Sequence, residues 1–153
     1  MDPAPIVDRF STHLKNVLTR ALCYVVESGQ PSIMPEHVLW ALGTERGCIA
    51  SELLRRAGIS AESLRDLSAG AKAEPGTGDV SSPQLTEAAK RAIEKAVLTA
   101  QAHDHKYVGT EHLLSGLIQI RDVGLEAFFS QAKVDVKELG EQVSFALRSA
   151  SRL

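Results

Sequence analysis

Glu36-His37-Val38-Leu39-Trp40-Ala41-Leu42 returns as Glu111-His112-Leu113-Leu114-Ser115-Gly116-Leu117, a shift of 75 residues. The same shift holds without a gap on either side. Phe10-Ser11 falls on Leu85-Thr86, Lys15 on Lys90, Ala21 on Ala96, Arg46 on Arg121, Ile59 on Val134 and Leu64 on Leu139. A fixed period marks two copies of one supersecondary unit, neither of which buries its apolar face alone. The expectation is two similar halves related by a pseudo-two-fold axis, with any site built on the Glu-His turn present twice.

Within each copy the apolar spacing is helical. Phe10, Leu14, Val17, Leu18, Ala21, Leu22 and Val25 make one broad face, opened by a possible cap at Ser11 and closed by Gly29. A second helix starts at Pro35 or Glu36 and turns Val38, Leu39 and Leu42 inward. A third runs from about Cys48 to Ala57, stopped by Gly58, and Ser60 opens a fourth that carries Leu64 and Leu67. The second copy repeats the order. Thr86 caps its first helix, Thr110 is expected to cap the helix beginning Glu111-His112, and Asp135 with Glu138 opens its last. Between the copies, Lys72 to Gln84 holds Pro75, Gly76, Gly78, Ser81, Ser82 and Pro83, the composition of a linker. The predicted fold is all-α: a single domain over 8–150, made of a four-helix repeat at 10–71, a linker at 72–84 and a four-helix repeat at 85–150, about eight helices in all.

The composition agrees. Of 153 residues, 44% are hydrophobic and only 5% aromatic, which suits packed helices better than a sheet sandwich. A formal net charge of −2 with interspersed signs leaves no basic stripe for a phosphate backbone, so no nucleic acid is expected. No apolar run reaches bilayer length, and Met1-Asp2-Pro3-Ala4-Pro5 lacks the basic and apolar parts of a secretory signal. The expectation is a cytoplasmic chain, with Cys23 and Cys48 as reduced core thiols.

Tyr107-Val108-Gly109-Thr110-Glu111-His112-Leu113-Leu114-Ser115-Gly116-Leu117 and Gly47-Cys48-Ile49-Ala50-Ser51-Glu52-Leu53-Leu54 resemble the signatures of the Clp N-terminal repeat domain. That domain stands at the front of AAA+ unfoldases of the ClpA, ClpC and ClpB type. The resemblance covers both copies, from Phe10 to Ala150. It implies a domain without chemistry of its own, which captures protein substrates or adaptors for an unfoldase ring. In some ClpC-like members the acidic residue of each Glu-His turn helps to hold phosphorylated arginine. By resemblance, then, Glu36 and Glu111 are candidate contacts, with Thr110 a candidate phosphate contact. The first copy has Ile33-Met34-Pro35 where the second has Val108-Gly109-Thr110, so the second is expected to be the better equipped. Nothing in the chain matches the Gly-x-x-x-x-Gly-Lys-Ser/Thr loop that cradles nucleotide phosphates.

Each residue singled out also has a plain structural reading. A carboxylate in a first helical turn complements the helix dipole, which competes with ligand contact for Glu36 and Glu111. His37 and His112 are expected to lock their turns by hydrogen bonding. Trp40 is expected to be buried or to line an apolar groove. Phe128 and Phe129 are adjacent on a helix, so at least one is expected at the surface as a partner contact. His103 and His105, with Glu111 and His112, allow an alternative reading as a small metal-dependent hydrolase, although a solvated turn explains them as well. A helix-turn-helix DNA binder is a third reading, opposed by the charge. The expectation is a non-catalytic protein-binding domain without metal or cofactor. It would serve a Clp-type chaperone-protease pathway as a free-standing accessory protein or as the head of a longer ATPase.

Overall fold

The computed structural model describes residues 8–71 and 84–150, so most of the expected linker lies outside the described residues. Among the described residues the elements run α1 (Thr12–Glu27), β1 (Ser32–Ile33), α2 (Pro35–Thr44), α3 (Ile49–Arg56), α4 (Ala61–Gly70), β2 (Gln84–Leu85), α5 (Glu87–Ala102), α6 (Thr110–Gln119), α7 (Val123–Gln131) and α8 (Val136–Ala150). The fold is all-α, with two four-helix repeats. The bounds of α1 and α2 reappear, moved by 75 residues, as those of α5 and α6.

The local chemistry repeats with them. Ser11 Oγ accepts from Leu14 N–H at 3.1 Å, and its mate Thr86 Oγ1 accepts from Ala89 N–H at 3.2 Å. Ser60 and its mate Asp135 cap α4 and α8 in the same way. The helices ahead of these turns stop alike. Gln30 N–H returns to Val25 O, His105 N–H to Ala100 O, Ile59 N–H to Leu54 O and Val134 N–H to Phe129 O. Such a closure needs a left-handed residue. Gly29 and Gly58 supply it in the first repeat at φ +69° and +92°, whereas Asp104 and Lys133 adopt it in the second, both at φ +58°.

The halves are joined by an exchange that periodicity does not reveal. β1 pairs in parallel with β2, Ile33 opposite Leu85, and Phe10 bridges in parallel to Val108. Moved by 75 residues, one pair becomes the other. Thr86 N–H donates to Ile33 O at 3.1 Å, and Ser11 N–H donates to Val108 O at 2.9 Å. Each repeat thus hands the segment ahead of its first helix to the segment ahead of its partner's second helix. Gln84, expected as the last linker residue, opens β2 instead.

α2 and α6 sit at the centre, and their apolar residues, Leu39, Leu42, Leu113, Leu114 and Leu117 among them, are fully buried in one continuous core. α5 lies close against α6 through Ala89, Ala92, Ala96 and Ala100. A polar clamp ties α1 to the end of α2: buried Glu45 accepts from His13 at 2.8 Å, Asn16 at 3.0 Å and Arg20 at 2.9 Å. Cys48 is buried as expected and Cys23 is exposed, because position 23 falls on the outer side of α1. No helix among the described residues is long and apolar enough to cross a membrane.

Candidate functional site

The Glu-His turns are the N-termini of the two central helices. Both begin on a residue whose side chain cannot accept a hydrogen bond well, Met34 in one and Gly109 in the other. The third helical residue compensates. His37 Nδ1 accepts from Met34 N–H at 2.9 Å, and His112 Nδ1 accepts from Gly109 N–H at 2.8 Å. A ring nitrogen here takes the part that a carboxylate or amide oxygen plays in a capping box. Acceptance at Nδ1 puts the proton on Nε2 in both rings. The histidines lock their turns, as the sequence led us to expect.

That tautomer carries further in the second repeat. His112 Nε2–H must donate to His105 Nδ1, 2.7 Å away, which leaves the His105 proton on a buried Nε2 without a partner. Burial first, and then the neighbouring His105 and His103, push His112 down to about 4. His37 is also lowered by burial, with the Ala71 carbonyl opposing the shift. The hydrolase reading does not survive this arrangement. His105 and His112 bond directly to each other, the Glu111 carboxylate takes a hydrogen bond from Tyr107, and among the described residues no three metal-ligating side chains converge.

Thr110 is the first residue of α6 rather than its cap. Its buried hydroxyl turns to the other repeat and accepts from Ala50 N–H at 3.4 Å. The cap position goes to Gly109 because the His112 ring already occupies that amide.

The two glutamates differ. Glu111 is 3% exposed, and its Oε2 accepts from the Tyr107 hydroxyl at 3.2 Å. Burial, followed by the Glu111 charge, raises the Tyr107 phenol. Glu36 is 8% exposed, and its Oε1 has no hydrogen-bond partner. Burial pushes its carboxyl up and Asp122 adds to the shift, against a hydrogen bond from its own backbone.

Glu36 lines a cleft of about 400 Å³ between α4 and α7, with Asp66, Leu67, Gly124, Phe128 and Ala132 among its walls. The cleft is open to Glu36 because position 124 has no side chain. A Cβ there would stand 2.7 Å from Glu36 Oε2 and 3.2 Å from Asp122 Oδ2. Its two-fold mate is a larger cleft of about 1030 Å³ between α8 and α3, where Ile49 stands for Gly124, Leu53 for Phe128, Glu141 for Asp66 and Phe145 for Gly70. Glu111 is not among the residues that line it.

Of the aromatic candidates, Trp40 is half-buried against Tyr24, with ring centroids 4.7 Å apart. Phe128 and Phe129 are both buried, at 8% and 2% exposure, which corrects the expectation of a surface ring. Adjacent residues on a helix point about 100° apart, and α7 has apolar neighbours on both of those sides. Phe128 forms a wall of the Glu36 cleft while Phe129 enters the core. The exposed large apolar residues of the clefts are Ile49 and Phe145 instead. Sequence reading passed over Gly124. The signal was available, since the shift of 75 sets Gly124 against Ile49.

The model of the Clp repeat N-terminal domain matches residues 9–132 and 84–151. The ClpB chaperone of Mycobacterium tuberculosis is 36% identical over 112 residues, 70% of this chain but 13% of that protein's length. Among solved structures, the N-terminal domain of the ClpD chaperone from Arabidopsis thaliana superimposes with a TM-score of 0.75 at 17% identity. The match covers 92% of this chain and 96% of that one. The ClpV N-domain in complex with a VipB peptide gives 0.72 at 14% identity, covering 96% and 92%. With helices, exchanged strands and Glu-His turns present in both halves and the model matching across them, the chain belongs to the Clp repeat N-terminal domain family.

Proposed function

We propose that this chain is a non-catalytic docking domain, which receives segments of protein substrates or adaptors in a Clp-type AAA+ chaperone-protease pathway. The observation that carries the reading is the pair of two-fold-related clefts, each built from helices of both repeats. Their walls combine apolar side chains with carboxylates, which suits capture of a polypeptide by contact alone. The ClpV N-domain, a neighbour in fold, has been solved with a peptide bound. Of the contacts implied by resemblance, Glu36 has the geometry best suited to a ligand, since it opens on a cleft with an oxygen to spare. Glu111 and Thr110 already hold partners within the chain.

The test is calorimetry and pull-down with the purified chain against Clp ring subunits, adaptors and unfolded substrates. Saturable binding to at least one is expected, weakened by Phe145→Asp in the larger cleft or by Glu36→Gln in the smaller. A folded chain that binds none of them refutes the reading.

A further inference from the structure

The Glu36 cleft has chemistry of its own, and it differs from its mate. A buried carboxylate oxygen without a partner is costly, about 1–3 kcal/mol for a neutral group and more for a charged one. Glu36 Oε1 is such an atom, at the floor of an open cleft. The terminal torsion of a glutamate is broad, so either oxygen can turn toward an occupant. Asp122 adds a second carboxylate, since one point at position 124 lies within 3.2 Å of oxygens from both. Asp66 supplies a third from α4, and no Lys, Arg or His is among the lining residues. The remaining walls, Leu67, Ala127, Phe128 and Ala132, are apolar.

Carboxylates at the floor and a hydrocarbon sleeve above them match one kind of side chain: a long aliphatic stem ending in a cation. The same set repels an anion, because a phosphate brought to Glu36 would meet Asp66 and Asp122 with no cation to neutralise it. We propose that the Glu36 cleft takes the unmodified lysine or arginine side chain of an incoming polypeptide and discriminates against a phosphorylated one. This rests on the docking reading above and gives it a ligand class. The opening is specific to this cleft, since Gly124 exposes the carboxylate floor and the mate has Ile49 at that place.

The probes are the Nα-acetyl methylamides of arginine, lysine, norleucine and phosphoarginine, titrated into the full chain and followed by amide NMR. Arginine and lysine are expected to shift Gly124, Ala127 and Phe128. Norleucine and phosphoarginine are expected to bind at least about tenfold more weakly, the loss of one charge-assisted pair. Glu36→Gln removes the charge and Gly124→Ile fills the opening, and either is expected to abolish the shifts while the remaining spectrum shows the fold intact. Phosphoarginine binding as tightly as arginine, norleucine matching lysine, shifts confined to the Glu111 turn, or no shifts at all would each overturn the proposal. Binding of a protein partner that persists unchanged in Glu36→Gln overturns this inference and leaves the docking reading standing. Arginine entering the cleft while no protein partner binds has the converse meaning.

Discussion

Gly116→Ala tests the closest helix contact in the fold. A Cβ on Gly116 would lie 2.2 Å from the carbonyl oxygen of Ala92, 3.2 Å from its carbon and 3.3 Å from Ala96 N. These are backbone atoms of α5, already engaged in helix hydrogen bonds, and cannot swing aside as a side chain would. To restore an ordinary contact α6 must recede by about 1 Å. That movement loosens Leu113, Leu114 and Leu117, all fully buried on the same helix. Overpacking of this kind costs about 1–3 kcal/mol, and toward the upper end where backbone is struck. Replacing Gly by Ala inside a helix returns about 1 kcal/mol. The expected net loss is about 2 kcal/mol, or about 4–8 °C in Tm for a chain of this size. Gly140→Ala is the control, because nothing lies within 4 Å of a Cβ built there on α8. Only the propensity gain remains, so Tm is expected to rise by about 2 °C. Thermal and urea unfolding of both variants decides the matter. If Gly116→Ala melts at or above the unaltered chain, the close approach of α5 and α6 is refuted.

Glu45→Ala removes the shared acceptor of His13, Asn16 and Arg20. The donors can turn to water, so a loss of about 1–3 kcal/mol is expected by urea unfolding at pH 7. Burial alone would raise the Glu45 carboxyl, but the three donors outweigh it and hold it below the usual range. Its contribution is therefore present above the ordinary carboxylate range and fades as pH falls through the depressed value. The gap between variant and unaltered chain should narrow in acid, and a gap independent of pH would count against the clamp. Glu36→Gln should behave oppositely. The folded state holds the Glu36 proton more tightly than the unfolded chain, so the natural residue loses stability as pH climbs from the ordinary value through the raised one. Glu36→Gln should melt higher at pH 7 and alike in acid, and a lower Tm at pH 7 would refute the unpartnered carboxylate. For His112, pushed down to about 4, the unfolded chain binds the extra proton first. Stability is full above about 6.5, the ordinary histidine value, and erodes as pH falls from there toward 4. Ring NMR should find His112 silent from pH 8 to 5, and a midpoint near 6.5 would refute its buried bond to His105.

Helix identity and order were legible because each helix repeats an apolar face at 3.6-residue spacing and because the two copies read alike. The ends of α1 and α5 could be placed from Ser11, Gly29 and Thr86, whose side chains or conformational freedom do the stopping and starting. The strand exchange was not legible. Two residues such as Gln84-Leu85 have no period to detect, and their partners lie half a chain away in sequence. Thr110 misled for a related reason: Thr is a good cap, but His112 had already taken the amide that a cap would satisfy. Phe128 and Phe129 misled because the one-face rule assumes a helix lying on a single surface, whereas α7 has apolar neighbours on two sides. The difference between the glutamates depends on Tyr107, four residues before one, and on Gly124, far from the other. Only the tertiary contacts bring out that difference.

The competition between a dipole role and a ligand role for the two glutamates can now be weighed by magnitude. A carboxylate in a first turn gains about 0.3–1 kcal/mol from the helix dipole, and it gains this while solvated. Glu111 is buried, but a tyrosine hydroxyl bonds its carboxylate, so a structural role accounts for it. Glu36 has the same dipole and no such donor. Leaving a buried polar atom unpaired costs about 1–3 kcal/mol, more when charged, which exceeds what the dipole returns. A solvated carboxylate at the same position would keep the dipole term without the cost. The dipole therefore does not explain Glu36. Its unpaired oxygen, the Asp122 charge beside it and the missing side chain at Gly124 each cost something in the free chain, and a cation entering the cleft relieves all three at once.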